Sequence, residues 1–221
     1  MLYVVATPIG NLDDITLRAL AALRSADIIA AEDTRHSGNL LRHFDIRKPL
    51  VSYHAHNEAK RTAELAERLA AGETVALITD AGMPGLSDPG ARLIRQCIAY
   101  DLAFTVIPGV SAITTALVGS GFGTEHFCYR GFLPVKNGQR MRELTAAAER
   151  EETTVFFESP HRLNKTLTAC AELMPARQLC VARELTKKFE EFRRGTAAEL
   201  LGHYQAHAAK GEITLLVAGA K

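Results

Sequence analysis

The chain has 221 residues, 47% of them hydrophobic, and a formal charge of +1, which suits one large or two small globular domains with their own cores. Balanced charge argues against affinity for nucleic acid driven by bulk electrostatics and leaves only local basic patches to consider. There is no run of about 18 apolar residues to span a bilayer and no leader-like N-terminus, and Cys97, Cys128, Cys170 and Cys180 form no C-x-x-C pair. The expectation is a cytoplasmic protein with reduced, mostly buried thiols and no metal.

In chain order, strand-like runs at 2–6, 28–31, 50–53 and 75–78 alternate with helix-like runs at 16–25, 37–44 and 58–71. This alternation predicts a largely parallel sheet with helices on both faces. The 58–71 helix is the clearest, because Ala59, Ala63, Leu65, Ala66, Leu69 and Ala70 share one stripe. Asn57 is placed to cap it and Gly72 to stop it. After a strand at 103–107 and a helix at 112–118, Gly119, Gly121 and Gly123 read as a hinge. The domain boundary is therefore set there, giving an N-terminal α/β domain at 1–119 and a C-terminal α/β domain at 120–221. The second half offers strands at 127–133, 153–157, 178–183, 190–195 and 213–218, with helices at 139–150, 161–173 and 196–207. Several of these strands lack helical crossovers, so the second sheet is expected to be mixed or antiparallel.

Three loops rich in glycine, proline and small polar residues follow strands directly, at 7–11, 79–90 and 108–112. Ligands of open α/β sheets collect at the carboxyl ends of strands. Gly82, Gly85 and Gly90 permit close backbone approach, while Pro84 and Pro89 restrict the remaining freedom. An ordinary turn-rich connection explains any one such loop, but three of them point to a preformed pocket. Neither G-x-x-x-x-G-K-[ST] nor G-x-G-x-x-G is present, which disfavours ATP and NAD. A nucleoside with an amino-acid tail fits better.

Seven blocks carry a resemblance that runs from end to end. They are Tyr3-Val4-Val5-Ala6-Thr7-Pro8-Ile9-Gly10-Asn11-Leu12, Ala31-Glu32-Asp33-Thr34-Arg35, the loop from Asp80 to Gly90, Ile107-Pro108-Gly109-Val110-Ser111-Ala112, Phe157-Glu158-Ser159-Pro160-His161-Arg162, Ala182-Arg183-Glu184-Leu185-Thr186-Lys187 and Lys210-Gly211-Glu212. In this order they resemble the ribosomal RNA small subunit methyltransferase I family. The resemblance implies a tetrapyrrole methylase-like fold of two α/β domains, a homodimer, and S-adenosylmethionine in the cleft between the domains. The implied reaction is methyl transfer to the ribose 2′-hydroxyl of a cytidine in the decoding region of 16S ribosomal RNA, free or in the 30S subunit. Met83 stands where the family more often has threonine, and the sequence stops at Lys221 where many members continue into a helical tail.

On this reading Pro8, Asp80, Gly82, Pro84, Gly85, Ser87, Pro108, Gly109, Ser111 and Ala112 contact the cofactor, mostly through backbone amides. Asp80 and Ser111 also suit a turn or helix cap. Glu158, Glu184 and Lys187, at second-domain strand ends, are the candidates for removing the hydroxyl proton. A lysine does so only when its pKa is lowered; an ion pair with His161 or Arg162 is the alternative for Glu158, and one with Arg183 or Lys188 for Glu184. Asn11, Arg35, His36 and Arg183 are candidates for RNA contact. His54 and His56 have a spacing that permits a metal, but no third ligand is near in sequence. Two rivals remain open: a methylase of a tetrapyrrole or other small molecule on the same fold, and a non-catalytic RNA-binding module.

Overall fold

A computed structural model describes residues 1–220. The short apolar runs of the first half become β1 (Leu2–Val5), β2 (Ile28–Ala31), β3 (Leu50–Ser52), β4 (Val75–Ile78) and β5 (Phe104–Ile107). They form a wholly parallel sheet in the order β3-β2-β4-β1-β5. A parallel sheet buries both faces, and the side-chain alternation of the strands divides the core in two. Val5, Ile29, Ala76 and Ile78 pack with α1 (Leu17–Ser25) and α2 (Thr34–His43). Val4, Ala30, Val75 and Leu77 pack with α3 (Glu58–Ala70) and α4 (Ala91–Ala99).

Local chemistry sets the helix ends. Thr16 caps α1 by accepting from the Ala19 N–H, and Asp33 starts α2 three residues before the predicted 37 by accepting from the Arg35 and His36 amides. Gly72, at φ +91°, follows the last turn of α3 as expected. Asn57 stands at the N-cap of that helix, yet its side-chain carbonyl accepts from the His54 N–H at 2.8 Å instead of capping.

The chain divides into two compact units between Ser111 and Ala112. The division falls ahead of α5 (Ala112–Ser120), whereas the glycines at 119–123 had placed it behind that helix. The physical reason is packing, since α5 lies against three strands of the second sheet. Gly119 is a close-contact position and not a hinge: a methyl group there would overlap the Phe192 ring. The Arg194 guanidinium also donates to the carbonyls of Gly119 and Ser120, satisfying the end of α5.

The second sheet contains β6 (Phe127–Phe132), β7 (Thr153–Glu158), β8 (Gln178–Arg183), β9 (Glu191–Thr196) and β10 (Ile213–Val217), in the order β6-β7-β10-β8-β9. β6 and β7 run parallel and the other pairs antiparallel, so the sheet is mixed as predicted. One face is covered by α6 (Asn137–Glu149), α7 (Leu163–Leu173) and α8 (Ala197–Ala206), where Leu144, Leu167 and Leu200 meet Phe156, Val181 and Leu215. β9 presents alternate residues to its two sides: Phe192 and Arg194 reach α5, while Glu191 bonds Tyr204 of α8.

Candidate active site

In the first unit, the connection from β1 runs past β4 to reach β2, and the connection from β4 runs past β1 to reach β5. Their loops therefore leave neighbouring strand ends in opposite directions, the arrangement that opens a crevice in α/β sheets. Thr7 and Gly82 bind the two loops together through paired backbone hydrogen bonds of 2.9 and 3.0 Å. The Thr7 hydroxyl adds a bond to the Thr79 carbonyl at 3.0 Å. The β5 loop is drawn in as well, since a Cβ at Gly109 would come within 2.8 Å of the Ala6 Cβ. Pro8, Asp80, Gly82, Pro108 and Gly109 thus belong to one constellation of strand ends.

Inside the 79–90 loop, Gly82, Gly85 and Gly90 all have positive φ, and Gly90 lies so close to Gly85 that a Cβ would approach the Gly85 nitrogen to 2.9 Å. The Gly85 N–H donates to the Pro89 carbonyl and the Gly82 N–H to Thr7. The expectation that loop amides do most of the ligand holding is corrected at these two positions, because their donors are already engaged within the protein. They shape the crevice. Ser87 shares the strain with φ +66°, unusual for a residue with a side chain. Ser111 ends the first unit and Ala112 opens α5 of the second.

The crevice is acidic. Asp80 Oδ1 accepts from the Asp33 N–H at 3.2 Å, and Glu32 stands beside Asp80. Burial first, then the Asp80 charge, raises the Glu32 pKa. Arg35 is the exposed counterpart: its side chain is 91% exposed and pairs with Asp33 at 3.1 Å. Those hydrogen bonds hold the Asp33 carboxyl down at about 2. His36 is exposed on the same turn, and the Asn11 side chain accepts from the Asp13 N–H at 3.1 Å, capping a single 3-10 turn at Leu12–Asp14.

In the second unit, Glu158 and Arg183 are both register partners of Ile213, so the ends of β7 and β8 flank the start of β10. Glu158 nevertheless has no exposed side-chain surface. It pairs with Arg162 at 2.7 Å and accepts from the Thr166 hydroxyl at 2.5 Å and the Ser159 N–H at 2.7 Å. A carboxylate so enclosed has no path to a substrate proton, and the ion-pair alternative describes it. Arg183 is likewise fixed, with Nε 3.1 Å from Glu191 and Nη1 3.2 Å from the Lys210 carbonyl.

Glu184 and Lys187 come together with a residue given no role from the sequence. Lys187 Nζ lies 2.9 Å from Glu184 Oε1 and 2.7 Å from Glu212 Oε2. Residues 184 and 212 exchange bonds: the Glu184 N–H donates to the Glu212 carbonyl, and the Glu212 N–H donates to the Glu184 side chain at Oε1. Gly211, at φ +80°, lets the Glu184 carboxylate lie against the chain, where any methyl group would overlap it. Glu184 and Thr186 themselves have φ of +51° and +63°, a strain that persists only where surroundings enforce it. Burial acts to lower the Lys187 pKa, but the hydrogen bonds and charges of Glu212 and Glu184 outweigh it and raise the value. Burial acts the other way on Glu184, where the Lys187 and Glu212 hydrogen bonds prevail and lower the value. The lowered lysine pKa that a basic role required is not found; Lys187 is held as an ammonium between two carboxylates.

Among the described residues, no group of three or more His, Cys, Asp or Glu is placed to hold a metal, and no helix is long and apolar enough to cross a membrane.

A doubly covered parallel sheet with a glycine-shaped acidic crevice, followed by a mixed sheet with charged strand ends, is the architecture on which the methylase class assigned by the family match is built. The family model for tetrapyrrole (corrin/porphyrin) methylases matches residues 1–201. Solved structures of the same fold include a uroporphyrin-III-C-methyltransferase from Thermus thermophilus, with a TM-score of 0.70 at 22% identity over 98% of this chain and 93% of that one. A diphthine synthase matches at a TM-score of 0.71 and 14% identity, covering 98% and 89% of the two chains. Sequence relatives are nearer: a ribosomal RNA small subunit methyltransferase I of Synechocystis sp. is 48% identical over all of this chain and 79% of its own length. One from Bacillus subtilis is 44% identical over 99% of this chain and 75% of its own. The chain belongs to the tetrapyrrole methylase family, and within it to the ribosomal RNA small subunit methyltransferase I family.

Proposed function

We propose that the protein is an S-adenosylmethionine-dependent methyltransferase of 16S ribosomal RNA, transferring a methyl group to a cytidine ribose 2′-hydroxyl in the decoding region and acting as a homodimer. The observation that carries this reading is the end-to-end likeness to relatives named for ribosomal RNA methylation.

The first unit suits the methyl donor. Its loops combine positions where only glycine leaves room with the carboxylates of Asp80 and Glu32, which complement a ligand carrying sulfonium and ammonium charge. Pro8, Asp80, Pro84, Ser87, Pro108, Gly109 and Ser111 would hold it, with Gly82 and Gly85 leaving it room. Bound there, S-adenosylmethionine supplies an activated methyl group. Much of the rate enhancement is then positional, since two reactants held in line react as one.

The second unit supplies groups for the ribose. Glu184 stays ionised, and a carboxylate accepts the hydrogen bond or the proton of an attacking hydroxyl. Lys187 fixes that carboxylate and offers an ammonium donor to the sugar or an adjoining phosphate. Arg35, His36, Asn11 and Arg183 contact the RNA backbone. Glu158 serves the scaffold.

Incubating the protein with labelled S-adenosylmethionine and either 30S subunits or free 16S ribosomal RNA, then mapping the label, tests the reading. A single labelled cytidine ribose is expected. Label on a base, or none on either substrate, overturns it. Sedimentation of the purified protein tests the dimer.

A further inference from the structure

A cavity of about 510 Å³ opens on the second unit, where β8 and β9 meet the C-terminal end of α8 and the segment that follows it. We propose that this cavity binds one nucleotide of the RNA substrate beside the methylated residue, with Arg193, His203 and Lys210 on its phosphate and Phe189 against its base. The proposal rests on the RNA-methylating reading above and names a substrate subsite within it.

Three observations carry it. The carboxylates on the wall are already engaged: Glu184 with Lys187, and Glu191 with Arg183 at 3.1 Å, Arg193 at 2.8 Å and the Tyr204 hydroxyl at 3.2 Å. Glu191 thereby acts as a template that fixes two guanidiniums side by side, and Lys210, His203 and His207 lie on the same lining. His203 and His207, one turn apart on α8 and just after it, stack with centroids 4.8 Å apart and 21° between planes. Phe189 is 65% exposed with the Lys188 ammonium 5.6 Å from its centroid. Exposed aromatic rings set among cations are how proteins hold single-stranded nucleic acid, by stacking and phosphate contact together. The volume lies within the range of small-ligand pockets. Glu184 lines this cavity and also belongs to the Lys187 cluster, so a nucleotide seated here adjoins the groups proposed to act on the ribose.

Titration sharpens the inference. Burial, then the charges of Arg193 and His207, depress the His203 pKa, with Arg183 adding to the effect and Glu191 opposing it. A bound phosphate adds a further negative charge beside His203 and favours its protonated form, so RNA affinity rises as the pH falls below the ordinary histidine value of 6.5.

The test measures binding of a 16S ribosomal RNA transcript by wild-type protein and by Phe189→Ala, His203→Gln and Arg193→Gln variants across salt and pH, alongside methyl transfer. Phe189→Ala should weaken RNA binding by about tenfold. Arg193→Gln should reduce the salt slope by about one charge, and His203→Gln should flatten the pH dependence. Each should raise the RNA KM more than it lowers kcat, with S-adenosylmethionine affinity unchanged. Phe189 is exposed, so its variant keeps the test decisive if the arginine change disturbs folding. Wild-type RNA affinity and salt slope in Phe189→Ala and Arg193→Gln, in an enzyme that still methylates the RNA, overturn the cavity proposal alone. Absence of methyl transfer to ribosomal RNA by the wild type overturns the underlying reading and this proposal with it.

Discussion

Glu158→Ala separates scaffold from chemistry at a residue that the sequence offered as a base. Its carboxylate is fully enclosed, 2.7 Å from Arg162, 2.5 Å from the Thr166 hydroxyl and 2.7 Å from the Ser159 N–H. Truncation leaves a guanidinium with 20% exposed side-chain surface without its counter-charge and a fully buried threonine without its acceptor. Removing one partner of a buried ion pair costs about 3–5 kcal/mol, which for a chain of this length lowers the melting temperature by roughly 10 °C. Glu158→Gln keeps the shape and one acceptor oxygen, enough for the Ser159 N–H but not for the Thr166 hydroxyl as well, so its loss should be smaller than that of the truncation. Thermal and urea unfolding read the stability, and methyl transfer at a temperature well below the lowered midpoint reads the chemistry. The expected outcome is a destabilised enzyme with turnover within a few-fold of wild type. A variant that unfolds like wild type but turns over about 10²-fold more slowly would refute the structural assignment.

Lys187→Ala should lower turnover at saturating RNA by about 10²-fold or more without changing S-adenosylmethionine affinity; single-turnover methylation at the wild-type rate would remove the residue from the reacting set. Gly211→Ala forces the Glu184 carboxylate to move and should reproduce much of the Lys187→Ala defect, which the same assay reads. Gly82→Ala meets nothing nearer than Ile9 at 3.7 Å, so its folding cost is the positive φ alone, about 1–2 kcal/mol; calorimetry should nevertheless show S-adenosylmethionine binding weakened by at least tenfold, whereas unchanged affinity speaks against a ligand over that loop. The Glu184–Lys187 pair should give a flat stability contribution at neutral pH. Because the Glu184 value is lowered from 4.5, its share is present above 4.5 and is lost as the pH falls through the folded value. Because the Lys187 value is raised from 10.5, its share is complete below 10.5 and is lost as the pH rises through the folded value. Urea unfolding of wild type and Lys187→Met should therefore converge toward both pH extremes and differ between them.

The fold was largely legible because period and punctuation agree along most of the chain. Alternating runs announced the parallel sheet, and the missing crossovers announced the mixed one. Helix α4 escaped delimitation because the sequence reading followed the glycine loop before it and not the apolar spacing after it. Gly119 looks like a hinge in sequence; only a tertiary contact, the Phe192 ring, shows why glycine is required there, and the compact units divide ahead of α5. Strand-end loops identified the candidate crevice, yet the paired bonds between Thr7 and Gly82 depend on two loops far apart in sequence, and nothing local signals which amides are already engaged. Glu184 and Lys187 were visible three residues apart. Glu212 was not singled out, because its approach depends on β10 pairing with β8. The one sequence signal was the Lys210-Gly211-Glu212 block, whose glycine marks a close approach.

The position of β10 bears on how the protein is made. Strand β10 lies between β7 and β8, so two halves of the second sheet share no partner until residues 213–217 leave the ribosome. The first unit is complete at Ser111 and pairs its five strands from within that stretch. Synthesis therefore yields an early-folding parallel domain followed by a nascent segment with open strand edges, a state prone to wrong pairing. Arrest of translation just before residue 213 should leave the first unit resistant to protease and the second readily cleaved. Release past 217 should confer protection on the whole second sheet in a single step.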